Sequence, residues 1–441
     1  MEWQQLITTI RFGLEDYHRP QNSDVRSEFQ RDFDRLIFSA PFRRMQNKTQ
    51  VFPLPGSVFV HNRLTHSLEV SSVGRSIADG ISNILKERYP KQTTAFEAFG
   101  AIVSSACLAH DMGNPPFGHS GEKAIETYFS EGEGKNLRDD TLSDAQWSDF
   151  THFEGNANVF RLLTHRFNGR RKGGFVLTYS TLAAIVKYPF SSFDAPKNKF
   201  GFFYSDRNNY LTIAKELGIP QLYSDKLVFA RHPLVYLVEA ADDICYQIMD
   251  IEDAHKLRIL STQQTKEILL NYFDDEQKQH ITERMNIVSD ANEQIAYLRS
   301  RVIGALITGC KQVFVDNEKD ILLGQFGSTL IKSLPPMLAK AYSDSATLSV
   351  KLIYRSPEVL DVELAGYKII YTLLEELMQA VMNPQKSYSR QLLQRIPDQY
   401  DVYATSRYDR CQAILDYIAG MTDVYALDLY QKITGMSLPK V

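Results

Sequence analysis

The sequence predicts an all-α protein, and three observations support this prediction. Apolar residues recur at intervals of three and four through most of the chain, and strand-like alternation is rare. No linker rich in glycine, serine or proline divides the chain. We therefore expect one elaborated all-α domain over residues 1–441.

Helical patterns follow one another along the chain. Residues 66–85 place their apolar side chains on one face, and residues 97–110 are apolar on nearly every face, which is typical of a central helix. Residues 233–252 begin with Pro233, a residue favoured in the first turn of a helix. Further helical patterns cover 262–312, 357–384 and 408–434. Between these patterns, residues 131–150, 168–174 and 191–210 are rich in polar and turn-forming residues and predict loops.

The composition is that of an ordinary soluble globular protein, with 44% hydrophobic and 23% charged residues among 441. A net charge of −4 gives no global basic field, so extensive binding to duplex nucleic acid is not expected. Four widely spaced cysteines without a CxxC pair predict reduced core thiols. Neither a signal peptide nor an apolar run of about 18 residues is recognisable, which favours a cytoplasmic protein without a membrane span.

Histidine occurs at two places that suggest metal binding. On a helix, His66 would share the buried face of Val70 and Val73, where a lone histidine is more often a hydrogen-bonded core residue than a ligand. His110 and Asp111 are adjacent, and adjacent side chains diverge by about 100° on a helix. Both can reach one ion only where the chain turns, and the following GNPP provides such a turn. The alternative is a histidine that caps the helix beside a solvated aspartate.

A third place, EAADDICYQIMD, puts a carboxylate within an apolar stripe. Asp242 lies on the face of Val238 and Cys245, and burying an unpaired carboxylate is very costly. Asp243 shares a more polar face, so we expect Asp242 to bind an ion and Asp243 to support the site from behind. The predicted ligands are His66, His110, Asp111 and Asp242. Mg²⁺ or Mn²⁺ suits the carboxylates, whereas Fe²⁺, Ni²⁺ or Zn²⁺ suits the histidines.

The segment GHSGEKAIETYF places two further ionisable groups near this turn. Ser120 is expected to cap a helix, with His119 and Glu122 three residues apart at its entrance. Glu122 could orient the imidazole for proton transfer, or it could simply favour the positive end of the helix. The residues alone leave both interpretations open.

Several longer segments resemble one protein family. They are SAPFRRMQNKTQVFP, HNRLTHSLEV, LAHDMGNPPFGHSGE, FEGNAN, LVYLVEAADDICY and LDYIAGMTDVYALDLY, and they run from about residue 30 to residue 434. This set resembles the bacterial deoxyguanosine triphosphate triphosphohydrolases and their dGTPase-like relatives, which are HD-domain phosphohydrolases. The resemblance implies an HD-domain helical bundle over about 30–260 with additional C-terminal helices over about 261–441. It also implies a homo-oligomer, with a hexamer favoured.

The resemblance implies an activity and assigns roles to residues. Members of the family cleave a deoxynucleoside triphosphate between the α-phosphorus and the 5′ oxygen, giving deoxynucleoside and tripolyphosphate. The family's four metal ligands match those chosen above, and its catalytic pair matches His119 and Glu122. His119 would act as general acid or base, or as a nucleophile. The residues that would contact substrate are Gln50, Arg63, Lys187, Tyr188, Tyr246 and Asp250.

Within that substrate set the resemblance implies separate tasks. Arg63 and Lys187 would contact phosphate, with Tyr188 beside them. Tyr246 would pack under the deoxyribose and exclude a ribose, and Asp250 and Gln50 would bind the 3′ hydroxyl. Apart from the resemblance, we expect the base to be contacted by the C-terminal half, where the segments VELAGY and YATSRYDR could reach the active site of their own chain or of a neighbouring subunit.

Other functions stay open at this stage. Another HD phosphohydrolase chemistry would act on a nucleoside monophosphate, a cyclic nucleotide or an alarmone. A non-catalytic nucleotide sensor or single-strand nucleic-acid binder is a further hypothesis, for which Arg170, Arg171 and Lys172 form a local basic patch. The sequence has no GxxxxGK[ST] loop, which argues against P-loop chemistry. It does not indicate the base preference or whether a nucleotide activator is needed.

Overall fold

A computed structural model describes residues 1–16, 25–52 and 60–437, and these residues form helices joined by short connections. The β-structure within these ranges consists of isolated bridges, such as Thr49 with Asn62. The all-α prediction is confirmed. The α-helices, in chain order, are α1 (Trp3–Leu6), α2 (Glu28–Ile37), α3 (Ala40–Arg44), α4 (Arg63–Arg88), α5 (Thr93–Glu97), α6 (Phe99–Ala109), α7 (His119–Ser130), α8 (Asp144–Thr151), α9 (Gly155–Thr164), α10 (Tyr179–Ile185), α11 (Arg207–Glu216), α12 (Val235–Lys256), α13 (Thr262–Leu270), α14 (Asp275–Met285), α15 (Ala291–Asp316), α16 (Glu318–Leu322), α17 (Pro336–Leu352), α18 (Pro357–Met382), α19 (Ser387–Leu393), α20 (Arg407–Ala419) and α21 (Asp423–Ile433).

Three of these helices form the centre of the molecule. Helix α6 packs against both α4 and α12, which also contact each other. Nearly every residue of α6 is buried, as its apolar composition predicts. Pro233 lies two residues before α12 rather than in its first turn, because Leu234 is the N-cap of that helix. All four cysteines are buried and unpaired.

Two apolar cores hold the helices together. One surrounds α4, α6 and α12 and extends to Val359 at the start of α18. The other joins α7 and α8 to α18, α20 and α21. The second core therefore brings C-terminal helices directly onto the helix that begins at His119. None of the helices in the described part of the chain is long and apolar enough to cross a membrane.

Two of the predicted loops contain helices, so those predictions are wrong in part. The segment 131–150 includes a short 3₁₀-helix at Glu133–Leu137 and the start of α8. Ser143 and Gln146 cap α8 reciprocally, and Phe150 is buried in the second core. Helix α11 begins at Arg207, within the predicted loop 191–210, whereas residues 168–174 form no helix.

Candidate active site

The start of α4 positions the first predicted ligand. The Asn62 side chain accepts a hydrogen bond from the backbone N–H of Thr65, and the Thr65 hydroxyl accepts one from the backbone N–H of Asn62, which defines where the helix begins. His66 is the fourth residue of α4 and is only 2% exposed. The capped start of α4 therefore directs this imidazole into the molecule next to α6.

The end of α6 positions the second and third predicted ligands, His110 and Asp111. The helix ends at Ala109, and the chain turns through His110 and Asp111, as predicted. His110 Nδ1 lies 2.6 Å from the carbonyl oxygen of Cys107. A carbonyl only accepts, so Nδ1 carries a proton and Nε2 is the nitrogen that faces the neighbouring side chains. That Nε2 atom is buried and has no hydrogen-bond partner.

Asp242 on α12 completes this group. Its Oδ1 atom lies 3.2 Å from His66 Nε2 and 3.5 Å from His110 Nε2. One ligand atom each from His66, His110 and Asp111 lie within 4.8 Å of one another. The structure thus brings together all four residues that the sequence analysis selected from three separate helical segments.

The donor set fits a divalent cation. Two imidazoles and two carboxylates are common ligands for such ions, and the buried Nε2 of His110 makes no hydrogen bond although Asp242 Oδ1 lies 3.5 Å away. Burial raises the pKa of Asp242, but the two imidazoles outweigh it and hold that pKa well below the usual range. Burial likewise lowers the pKa of His110, yet Asp111 and Asp242 raise it to about 9. The carboxylates therefore concentrate negative charge that a cation can balance.

Arg63 lies at the same place. Its Nη1 donates to Asp111 Oδ2 at 2.7 Å, while its buried Nε has no hydrogen-bond partner. The guanidinium passes so close to Gly118 that a Cβ there would lie 2.6 Å from Arg63 Nη2. Gly118 also has a φ of +56°, so both space and backbone conformation favour glycine at this position.

His119 and Glu122 form a hydrogen-bonded pair at the start of α7. His119 Nδ1 lies 2.7 Å from Glu122 Oε2, and Glu122 Oε1 accepts from the backbone of Gly155 at 2.8 Å. The His119 side chain is 83% exposed, so its other nitrogen is accessible from the cleft. The hydrogen bond and negative charge of Glu122 raise the pKa of His119 above its usual range. The expected cap is wrong: α7 begins at His119 after Gly118, and the Ser120 hydroxyl donates to the carbonyl of Glu363.

One cleft of about 460 Å³ connects these groups. Predicted site residues that line it are Gln50, Arg63, His110, Asp111, His119, Glu122, Lys187, Tyr188, Asp242 and Tyr246. His66 and Asp250 lie behind the cleft wall and do not line it. Val362 and Glu363 of VELAGY also line the cleft. The other candidate segment for base contact, YATSRYDR, does not line this cleft. Its Arg407 pairs with Asp139.

Two lysines face the cleft. Lys187 follows the end of α10, as predicted, and its Nζ lies 3.6 Å from Glu239. Burial lowers its pKa, but Asp242 and Asp243 outweigh this and raise the pKa overall. Lys199, which sequence reasoning missed, has its Nζ 2.7 Å from Glu154 Oε2. Both side chains line the cleft, and each places its positive charge next to a carboxylate.

Two tyrosines separate Asp250 from the cleft. The ring centroids of Tyr246 and Tyr354 are 5.8 Å apart. The Tyr354 hydroxyl donates to Asp250 Oδ2 at 2.6 Å, and both tyrosines line the cleft. Burial raises the pKa of Asp250 to about 8. Tyr354 was missed because the segment IYRSPEV carries no pattern that points to a site. Across the cleft, Gln50 Oε1 is buried without a hydrogen-bond partner.

A second cavity, of about 510 Å³, lies on another part of the molecule. Arg170 and Arg171 line it, together with Arg35, Arg44 and Lys48, whereas Lys172 does not. The basic patch seen in the sequence thus belongs to a cationic hollow. Its binding partner stays a prediction.

Comparison with known proteins assigns the chain to a family. Residues 63–228 match the HD domain, and residues 333–432 match the phosphohydrolase-associated domain. A deoxyguanosinetriphosphate triphosphohydrolase-like protein of Synechocystis is 36% identical over 99% of this chain and its own full length. The chain belongs to the dGTPase-like family of HD phosphohydrolases. A deoxyguanosinetriphosphate triphosphohydrolase-like protein of Pseudomonas aeruginosa is also 36% identical, over the full length of both chains. A deoxyguanosinetriphosphate triphosphohydrolase of Yersinia enterocolitica is 30% identical over 93% of this chain and 94% of its own length.

The family assignment confirms the resemblance recognised in the sequence. In this dGTPase-like phosphohydrolase the HD domain match begins at Arg63, the first residue of α4, and includes His66, His110 and Asp111. Asp242 lies beyond that match, on α12, but contacts the same imidazoles. The associated domain covers α17 to α20 and most of α21, and of these helices α18 to α21 contribute to the second core.

Proposed function

We propose that this protein hydrolyses deoxynucleoside triphosphates, with dGTP among its substrates, to deoxynucleoside and tripolyphosphate. The observation that carries the proposal is the cleft that His110, Asp111 and Asp242 share with the hydrogen-bonded His119–Glu122 pair, with His66 next to Asp242 behind the cleft wall. The names of the relatives agree with this chemistry. The protein would act as a homo-oligomer, and a hexamer is favoured.

The metal-binding group would hold Mg²⁺ or Mn²⁺ through His66, His110, Asp111 and Asp242, with Fe²⁺, Ni²⁺ or Zn²⁺ as further occupants. When bound, the cation supplies Lewis-acid polarisation of a phosphate oxygen. Arg63 shares Asp111 with that site, and its unpartnered Nε is available to a phosphate oxygen.

The chain's other cations suit a triphosphate. Lys187 and Lys199 line the same cleft as Arg63, so three positive side chains can balance the charge of tripolyphosphate as it forms. Tyr188 lies beside them, with Lys187 Nζ 5.8 Å from its ring centroid. Positioned cations of this kind stabilise the transition state without having to reorganise during the reaction.

The proton balance gives His119 its role. Water attacks the α-phosphorus, the bond from that phosphorus to the 5′ oxygen breaks, and the leaving 5′ oxygen takes a proton. His119 can donate this proton, since Glu122 raises its pKa and orients Nδ1, which leaves the other ring nitrogen for the substrate. A water-activating or nucleophilic His119 is the alternative, and a covalent adduct trapped by a rapid quench would identify the nucleophile.

The far end of the cleft suits a deoxyribose and a base. Tyr246 and Tyr354 provide an aromatic wall, and the unpartnered Oε1 of Gln50 can accept from a 3′ hydroxyl. Asp250 would act on this hydroxyl through Tyr354, to which it is hydrogen bonded. Glu363 lines the same cleft, and its carboxylate can accept the two N–H groups on the edge of guanine.

A product screen tests the proposed function. The purified protein is incubated with each of the four dNTPs and with GTP, singly and in pairs, in Mg²⁺ or Mn²⁺, and products are separated by chromatography. We expect tripolyphosphate and deoxynucleoside, and the pairs reveal a nucleotide activator. Release of orthophosphate, or turnover only of monophosphates, cyclic nucleotides or alarmones, would refute the proposal. Equal turnover of GTP would contradict the ribose exclusion assigned to Tyr246.

Glu122→Gln is expected to move the pH profile. The amide keeps a hydrogen-bond acceptor but removes the negative charge that raises the pKa of His119. Because protonated His119 is then less stable, the limb of the kcat/KM profile that titrates with His119 shifts to lower pH. The control is Glu126→Gln on the same helix, which removes only a pair with Lys123. A limb that stays in place in Glu122→Gln would contradict the pairing.

A further inference from the structure

One carboxylate from the C-terminal region reaches two separate parts of the cleft wall. Asp423 is the first residue of α21 and is only 5% exposed. Its Oδ2 accepts from the backbone N–H of Thr49 at 2.7 Å, and its Oδ1 accepts from the backbone N–H of Phe117 at 2.9 Å. Both oxygens therefore bind segments that lie more than 300 residues away in the chain.

These two segments carry site residues. Thr49 directly precedes Gln50. Gln50 lines the cleft, and its buried side-chain oxygen has no hydrogen-bond partner. Phe117 and Gly118 lead directly into His119. Phe117 has a φ of +61°, a left-handed conformation that costs energy for a residue other than glycine and persists only when its surroundings hold it.

Lys48, which is buried, also links the C-terminal region to the turn before His119. Lys48 Nζ donates to the carbonyl of Asn114 at 2.6 Å and to the carbonyl of Ala419 at 2.8 Å. Asn114 belongs to the turn before His119, and its amide donates to Asp111. The connection between α20 and α21, residues 419–423, is thus linked to the turn before His119 through Lys48 at one end and bonded to it by Asp423 at the other.

An aspartate at the start of a helix often serves only that helix. Here the cap is already provided, because Thr422 accepts from the backbone of Tyr425. Both Asp423 oxygens bind backbone N–H groups outside α21. A helix-stabilising role alone therefore does not account for its orientation or its burial.

We propose that Asp423 is a positioning residue that fixes the segment carrying Gln50 relative to the turn before His119. None of the segment LDYIAGMTDVYALDLY lines the cleft, so Asp423 would act on the site only through the backbone groups that it binds. The proposal rests on the proposed function for its kinetic consequence, but not for its structural one.

The test replaces Asp423 by asparagine in the full-length protein. Asparagine has the same shape and one acceptor, and its NH₂ group would face the second N–H donor. We expect kcat for dGTP with Mn²⁺ to fall about ten- to a hundredfold per metal-loaded site, because small misplacements of catalytic groups cost rates of this order. The KM is expected to rise as Gln50 loses its anchor. Hydrogen–deuterium exchange is expected to quicken in peptides covering 47–52 and 114–120 but not in α6 or α12.

Asp428→Asn is the matched control. Asp428 also lies on α21, and its carboxylate pairs with Lys432 of the same helix at 2.6 Å, away from the cleft. Its kinetics and exchange should match those of the unmodified protein. The proposal is overturned if Asp423→Asn keeps kcat within about twofold with unchanged exchange, or if exchange quickens uniformly along the chain, which indicates general destabilisation. If the unmodified protein releases no tripolyphosphate, the proposed function fails, and local exchange still decides the positioning role.

Discussion

Asp242→Asn is expected to abolish hydrolysis, with kcat/KM reduced by about a thousandfold or more. The Oδ1 atom of Asp242 lies 3.2 Å from His66 Nε2 and 3.5 Å from His110 Nε2. A Lewis acid contributes several kcal/mol to catalysis, and about 1.4 kcal/mol corresponds to a factor of ten in rate. Loss of this ligand should therefore remove most of the rate together with the metal. Metal content by elemental analysis and steady-state kinetics measure the two effects.

The same substitution changes the charge balance of the histidines. Asp242 helps to raise the pKa of His110 against the effect of burial, so that pKa should fall when the carboxylate is removed. Glu252→Gln provides a control on the same helix, since Glu252 pairs with Arg299 and Lys256 away from the cleft. Full metal content and activity in Asp242→Asn would contradict its assignment as a ligand.

Three of the four predicted ligands, His110, Asp111 and Asp242, stand out in the sequence because each violates a local expectation. A carboxylate within the apolar stripe of α12 and adjacent histidine and aspartate at the end of α6 are costly unless something pairs with them. Helical periodicity supplies the faces, and the turn after Ala109 explains how His110 and Asp111 reach one place. The family resemblance then connected this site to His119 and Glu122.

The parts that could not be predicted depend on contacts between distant segments. Lys199 lies in a loop next to Glu154, and Tyr354 follows α17 and reaches Asp250, so neither has a periodic signal. Asp423 looks like an ordinary helix-starting aspartate until Thr49 is placed beside it. Ser120 shows the opposite case, since a good capping residue takes a different role when its hydroxyl finds the carbonyl of Glu363.

The loop between α7 and α9 shows why polar segments mislead. Residues 131–150 are polar enough to predict a loop, yet Ser143 and Gln146 form a capping box that begins α8. The apolar side of this short helix is carried by few residues, among them Phe150, which stacks on Phe129 and Tyr408. Tertiary packing of those rings, rather than a long periodic pattern, stabilises it.

His119→Gln is expected to reduce kcat by about a hundred- to ten-thousandfold, the range typical of a lost general acid or base. KM and metal content should change little, because His119 is bonded to Glu122 and does not belong to the metal-binding group. His280→Gln on α14, an exposed histidine remote from the cleft, controls for the substitution itself.

A rapid quench separates the two mechanisms open to His119, since hydrolysis in H₂¹⁸O places one labelled oxygen in tripolyphosphate in either of them. If water attacks directly, no phosphorylated protein accumulates during a single turnover. If His119 attacks, a triphosphohistidine forms as deoxynucleoside leaves, and a rapid quench at alkaline pH retains it. We expect the first result, because Glu122 raises the pKa of His119 and so favours its protonated form, which can donate a proton but cannot attack phosphorus. Full activity in His119→Gln would contradict both mechanisms and leave proton transfer to another group in the cleft.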